Sequence, residues 1–87
     1  MNPSEPKSLA EWRSYVAKLS EDALFEQAKA VNSLGFIQTL QDEEYSADEI
    51  HEIFLAFARA LGKTGLRPPA DGVYDYFKLI EEATHSA

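Results

Sequence analysis

Two short stretches of this chain carry residue types that could do chemistry. Asp48 and His51 stand three residues apart beside Glu52, and carboxylate and imidazole groups at that spacing can bind a metal on one helix face. The His-Glu-x-x-His pattern of zinc enzymes would require a second His at position 55, which is Leu55. This stretch therefore predicts no metal site, and we expect His51 on a solvated acidic surface.

Gly62-Lys63-Thr64 has the form of the last residues of a phosphate-binding loop. That loop also requires Gly five residues earlier and a preceding strand, but position 57 is Phe57 and the preceding residues have a helical pattern. Gly62 is instead interpreted as the end of a helix. The chain contains no Cys, and His51 is the only imidazole outside a predicted tail, so we expect neither an enzyme nor a cofactor.

A run of acidic residues is the strongest charge feature. The segment from Asp42 to Glu52 contains six carboxylates and no Lys or Arg, in a chain with a formal net charge of −7. Such a chain repels nucleic acid and anionic membranes, so a protein partner with a basic surface is favoured. The lack of Cys, of an apolar signal segment and of any apolar run of membrane length predicts a cytoplasmic protein.

The elements that position these residues are predicted to be helices. Ser8, Ser20 and Ser46 each precede an apolar repeat of helical period and match the N-cap position. The helix after Ser20 is predicted to end near Gly35, and the residues that follow form either a short helix capped by Ser33 or a kinked continuation. No segment alternates with the period of a strand. We therefore expect one all-α domain over residues 1–87, a compact bundle or orthogonal array of four to five short helices, with residues 1–7 and 84–87 frayed.

The helix after Ser46 has the clearest pattern. Its core face is predicted to comprise Ile50, Ile53, Phe54, Phe57 and Leu61. Leu55 falls about 140° from Ile50 at about 100° per residue, among charged neighbours. Two interpretations follow: Leu55 is an exposed partner-binding anchor, or a neighbouring helix covers it. We take it as an anchor, and Leu55→Asp is then expected to leave the melting temperature nearly unchanged.

A last helix is predicted to open at Pro69 or Asp71. Its apolar residues span an arc of about 220°, which indicates either a central helix or one with a face turned to a partner. Tyr74 and Tyr76 carry hydroxyl groups that need water or a polar partner, so this side is expected at an interface rim.

In size, acidity and helical content the chain resembles small acidic helical inhibitors such as the colicin DNase immunity proteins. Their motif Asp-Leu-Ile-Tyr-Tyr-Pro is absent, and Val73-Tyr74-Asp75-Tyr76-Phe77 is not equivalent to it, so no functional residue is transferred. The sequence predicts a non-enzymatic protein-interaction domain: an inhibitor, adaptor or assembly factor. The alternatives are an acidic nucleic-acid mimic that inhibits a DNA- or RNA-binding protein, a homodimer, and a small helical DNA-binding regulator or enzyme.

The predicted partner-binding residues lie on the acidic segment, on the outer face of the helix after Ser46 and on the last helix. They are Asp42, Glu43, Glu44, Asp48, His51, Glu52, Leu55, Arg59, Tyr74 and Tyr76. No catalytic, cofactor-binding or metal-binding residue is predicted.

Overall fold

Five α-helices make up the described part of the chain. The computed structural model describes residues 6–65, 67–68 and 72–85, and these contain no strand. The helices are α1 (Leu9–Lys18), α2 (Glu21–Val31), α3 (Leu34–Asp42), α4 (Ala47–Thr64) and α5 (Tyr76–His85). The all-α prediction is confirmed. Within the described ranges, no helix combines the length and the apolar character of a membrane span.

Serine side chains set the start of the first four helices. The hydroxyls of Ser8, Ser20, Ser33 and Ser46 each accept a hydrogen bond from the backbone N–H three residues later, at 3.1–3.2 Å. Each bond satisfies one donor that the first turn leaves unpaired. At Ser46 the capping box is complete, because its own N–H donates to Glu49 Oε1 at 2.9 Å. The cap at Ser33 shows that α3 is a separate helix.

Helix ends differ from the predictions. Helix α2 ends at Val31, and Gly35 lies inside α3 rather than ending α2. Helix α4 continues through Gly62 to Thr64, and Gly65 adopts the left-handed conformation that ends it, with φ of 74°. A single glycine costs a helix only about 1 kcal/mol, so packing of the remaining residues carries the helix past Gly62.

The last helix begins later and ends later than predicted. Helix α5 starts at Tyr76, with the Phe77 N–H donating to Asp75 Oδ1 at 3.0 Å. Pro69 and Asp71, the predicted opening residues, lie outside the described residues. Thr84 and His85, assigned above to the tail, belong to α5.

Helix α4 is the centre of the domain, since α5, α1 and α2 all pack against it. Ile53, Phe54, Phe57 and Leu61 have no solvent exposure. The radius of gyration is 12.3 Å, close to the value of about 12 Å expected for a compact domain of this length.

Leu55 belongs to the core, so the prediction that it is an exposed anchor is wrong. Only 5% of its surface is exposed. Helix α5 covers the side of α4 on which it lies: His51 Nε2 is 3.0 Å from Glu82 Oε1, and Gly62 faces the Ile80 side chain. These two contacts lie on the same side of α4 as Leu55, before and after it along the helix. A core around a central helix is wider than the single stripe that sequence periodicity describes.

Tyr76 is also buried, which corrects its assignment to an interface rim. It has no exposed surface, and its hydroxyl donates to the Ala28 carbonyl at 3.3 Å. Burial raises the pKa of this hydroxyl above its ordinary value, so the group stays neutral. The partner that the hydroxyl requires is therefore supplied by α2 within the same chain.

A buried amide attaches the segment before α5 to the end of α2. Asn32 Oδ1 accepts a hydrogen bond from the Tyr74 N–H at 2.7 Å, and Asn32 Nδ2 donates to the Tyr74 carbonyl at 2.8 Å. The Tyr74 ring stacks on Phe54, with ring centroids 4.2 Å apart. Tyr74 is therefore half-buried and positioned by the fold.

Candidate functional site

Four exposed carboxylates gather where α3 ends and α4 begins. We call Asp42, Glu43, Glu44 and Asp48 the acidic corner. The chain turns here through a Schellman motif: the Glu44 N–H donates to the Gln41 carbonyl at 3.0 Å, and the Tyr45 N–H donates to the Leu40 carbonyl at 3.1 Å. The acidic corner is thus held on a hydrogen-bonded turn.

The residue types in this turn are not those that stability favours. Glu44 has φ of 69°, and the left-handed conformation that the motif requires at this position is usually taken by Gly. Asp42 and Glu43 lie at the carboxyl end of α3, where the helix dipole disfavours negative charge. Asp48 differs, because it stands in the first turn of α4 and is favoured there. The stability of the fold therefore does not explain why acidic residues occupy positions 42, 43 and 44.

We expect Glu44→Gly to stabilise the domain by about 1 kcal/mol, because Gly adopts the left-handed conformation without strain. The melting temperature should then rise by about 4–8 °C. Glu44→Gln is the matched control: it removes the charge but keeps the strained side chain, so its gain should be much smaller. Thermal unfolding followed by circular dichroism measures both. A Glu44→Gly variant no more stable than the wild type would contradict this account of the turn.

Negative charge extends from the acidic corner onto α1. Tyr45, the residue after the turn, has its pKa raised first by burial and then by the nearby carboxylates of Glu43, Glu11 and Glu49. The Trp12 indole N–H lies close to the Tyr45 hydroxyl and opposes this rise. Glu11 of α1 is thus a further carboxylate near the corner, and the acidic run alone did not indicate it.

A cleft of about 400 Å³ lies between α1, α2 and α3. We call it the aromatic cleft, because Trp12, Tyr15 and Phe36 line it together with Ala30 and Leu40. Trp12 packs edge-to-face against both other rings, at centroid distances of 5.7 Å and 5.5 Å. Aromatic contacts of this kind fix ring positions, so the walls of the cleft are preformed.

The acidic corner and the aromatic cleft meet at Glu43. This residue is exposed, belongs to the turn and also lines the cleft. Its N–H donates to the Thr39 carbonyl at 3.0 Å, which ties the rim of the cleft to the last turn of α3. The surface therefore combines an apolar hollow with a carboxylate rim, which can accommodate an apolar side chain next to a cation.

Two other predicted site residues are engaged in contacts between helices. His51 Nε2 lies 3.0 Å from Glu82 Oε1 of α5, and Glu52 Oε1 accepts a hydrogen bond from Arg13 of α1 at 3.0 Å. His51 does not line the aromatic cleft. In the described part of the chain, no three His, Asp or Glu residues are grouped so that they could hold a metal ion.

The remaining predicted residues lie away from the acidic corner. Arg59 is exposed on α4 and lines a different cleft, formed by α1, α2 and α4. On α5 the exposed aromatic residue is Phe77, 43% exposed, rather than Tyr76. Arg67 lies over the Phe77 ring at 5.7 Å. A homodimer built on the last helix remains a prediction, and its surface would centre on Phe77.

Sequence reasoning missed the aromatic cleft. Trp12 and Phe36 have the apolar spacing of core positions, and the pattern along one helix cannot indicate that three helices leave a hollow between them. Helix α3 packs against the core through Phe36, Ile37 and the buried Leu40, which have the spacing of ordinary core positions, so no sequence signal indicated the hollow.

Comparison with known proteins identifies no relative of this chain: no protein-family model matches it, and no curated protein and no solved structure is significantly similar.

Proposed function

We propose that this protein is a non-enzymatic interaction domain that binds a protein surface presenting basic side chains beside an apolar one. It would act as an inhibitor, adaptor or assembly factor. The observation that carries the proposal is the continuity of the acidic corner with the aromatic cleft through Glu43. Carboxylates on the rim would steer and orient the partner, while the desolvated aromatic hollow would provide most of the affinity.

The composition of the turn adds a second argument. Glu44 occupies a position where Gly would make the domain more stable. The carboxylates of Asp42 and Glu43 lie at the negative end of the α3 dipole, which repels them. Proteins often keep residues that reduce stability where function requires them. Negative charge at this turn is therefore explained by recognition of a cation better than by folding.

The experiment compares proteins captured from an extract of the source organism by the immobilised wild type and by an acidic-corner variant. The variant carries Asp42→Asn, Glu43→Gln and Glu44→Gln, which remove three charges with little change in shape. We expect a partner that binds the wild type at about 0.1 M salt, is released near 1 M salt, and is not retained by the variant.

A matched control removes the same number of charges elsewhere, with Asp22→Asn, Glu26→Gln and Glu81→Gln on exposed positions of α2 and α5. This control should retain the partner. Equal loss from both variants would show that net charge alone matters and would contradict the proposal. Retention by both would exclude the acidic corner as the binding surface.

The contribution of the cleft is separated by a pair of single substitutions. Ala30→Arg places a long charged side chain in the aromatic cleft, whereas Ala10→Arg makes the same change on the exposed surface of α1. We expect only Ala30→Arg to abolish capture. If the captured partner is a DNA- or RNA-binding protein that nucleic acid displaces, the alternative of a nucleic-acid mimic is supported.

A further inference from the structure

A second cleft, of about 390 Å³, lies between α1, α2 and α4. Its charged side chains are mainly basic, in contrast to those of the acidic corner. We call it the basic cleft. Arg13, Arg59 and Lys63 line it, and they are three of the eight Lys and Arg residues of the chain. Glu21 is the acidic residue of the lining. In a protein with a net charge of −7, this grouping of cations needs a separate explanation.

Two of these cations are available to a ligand. Arg59 and Lys63 are exposed, and within the described ranges neither forms an ion pair. They lie four residues apart on α4, so their side chains project from the same face, about 6 Å apart along the helix axis. Arg13 Nη2 contacts Glu52 at 3.0 Å, and this side chain is still 54% exposed.

The floor of the basic cleft is apolar. Val16 of α1 and Leu24 of α2 are buried beneath it, and Ala56 and Ala60 of α4 line it one turn apart. Because alanine side chains end at the β-carbon, the helices that form the cleft leave room for an apolar side chain between them. A simple inorganic anion would not use this floor.

We propose that the basic cleft binds an acidic amphipathic helical segment of a partner protein. One apolar side chain of that segment would lie on the floor. Carboxylates spaced four residues apart along it would match Arg59 and Lys63, since residues four apart on a helix share a face. The inference does not depend on the proposed function, because it concerns a different surface and a partner of opposite charge.

The test uses a fluorescein-labelled helical peptide with Glu at four-residue spacing and Leu on the adjoining face, titrated with the protein and followed by fluorescence anisotropy. Wild type should bind it saturably at about 0.1 M salt. Arg59→Glu with Lys63→Glu should weaken binding by at least about tenfold. Lys18→Glu with Lys78→Glu changes the net charge equally at exposed positions outside the cleft, and should weaken binding by less than about threefold.

A second peptide has Ser in place of each Leu and keeps every carboxylate. It should bind at least about tenfold more weakly than the Leu peptide, because the apolar floor then has no partner. Equal binding of the two peptides would overturn the proposal in favour of a site for anions in general. The absence of saturable binding, or equal weakening by both charge-reversal pairs, would also overturn it.

Two further measurements keep the result interpretable. Circular dichroism checks that each variant is folded. If the variant with Arg59→Glu and Lys63→Glu is unfolded, Arg59→Gln with Lys63→Gln replaces it and should also weaken peptide binding. Sedimentation of the wild type alone tests whether a second copy occupies the cleft. A dimer that the Arg59 and Lys63 variants dissociate would assign the site to self-association and overturn the proposal.

Discussion

Leu55→Asp is expected to unfold the domain at room temperature. The side chain is only 5% exposed and lies between two of the contacts that join α4 to α5, at His51 and at Gly62. The substitution removes apolar contacts that contribute about 2–5 kcal/mol and places an unpaired carboxylate where water is excluded. Their combined cost approaches or exceeds the total stability of about 5–10 kcal/mol for a domain of this size.

The measurement is urea unfolding followed by circular dichroism and by Trp12 fluorescence. Arg59→Asp is the control: it introduces the same side chain four residues later on α4 at an exposed position, and should cost less than about 1 kcal/mol. A Leu55→Asp variant whose urea midpoint stays close to that of the wild type would place Leu55 on the surface, as its charged sequence neighbours suggested.

The second large effect concerns the attachment of the α5 segment to the end of α2. Asn32→Asp keeps the shape of the side chain but replaces the donor that bonds the Tyr74 carbonyl with a second acceptor. The hydrogen bond becomes a repulsive oxygen–oxygen contact, and a buried group acquires a charge. We expect a loss of at least about 2–3 kcal/mol in unfolding free energy.

Gly72→Ala should destabilise the same attachment by a comparable amount. Gly72 has φ of 134°, a conformation that side chains rarely adopt, and an added β-carbon would overlap the Asn32 side chain and lie 2.8 Å from the Asn32 carbonyl oxygen. Gly35→Ala is the control, and it should change the unfolding free energy in the opposite direction. Gly35 lies inside α3 with open space around its β-position, so alanine there should stabilise by about 0.5–1 kcal/mol.

Urea unfolding of the single variants and of the Asn32→Asp, Gly72→Ala double variant tests the link between the two residues. Because both substitutions disrupt one contact, their combined cost should be smaller than the sum of the separate costs. Full additivity, or a Gly72→Ala variant as stable as Gly35→Ala, would show that this contact does not hold α5 in place.

The starts of α1, α2 and α4 were predictable from the sequence, whereas the start of α5 and the ends of α2, α4 and α5 were not. A serine hydroxyl and a backbone N–H three residues away form a local interaction, so Ser8, Ser20 and Ser46 are recognisable without tertiary information. Glycine is an ambiguous signal because it can also lie inside a helix, as Gly35 and Gly62 do. The left-handed residue that ends α3 is Glu44, which no propensity rule would select.

The candidate site was likewise predictable only in part from the sequence. The acidic corner was visible as a run of carboxylates without a neighbouring cation, which is a property of the sequence alone. Leu55 and Tyr76 were misplaced because their burial depends on α5 and α2, elements that are distant in sequence. The aromatic cleft depends on the spacing of three helices, so only the fold brings Trp12, Tyr15 and Phe36 into one surface.

The central claim is that a partner occupies the aromatic cleft and the acidic corner together. Its most direct test is a titration of the ¹⁵N-labelled protein with the captured partner, followed by the chemical shifts of the backbone amides and the Trp12 indole N–H. We predict the largest changes at the Trp12 indole and from Phe36 to Glu44, along α3 and the turn that follows it. Changes confined to α5 around Phe77, with the Trp12 and Glu43 signals unmoved, would contradict the claim.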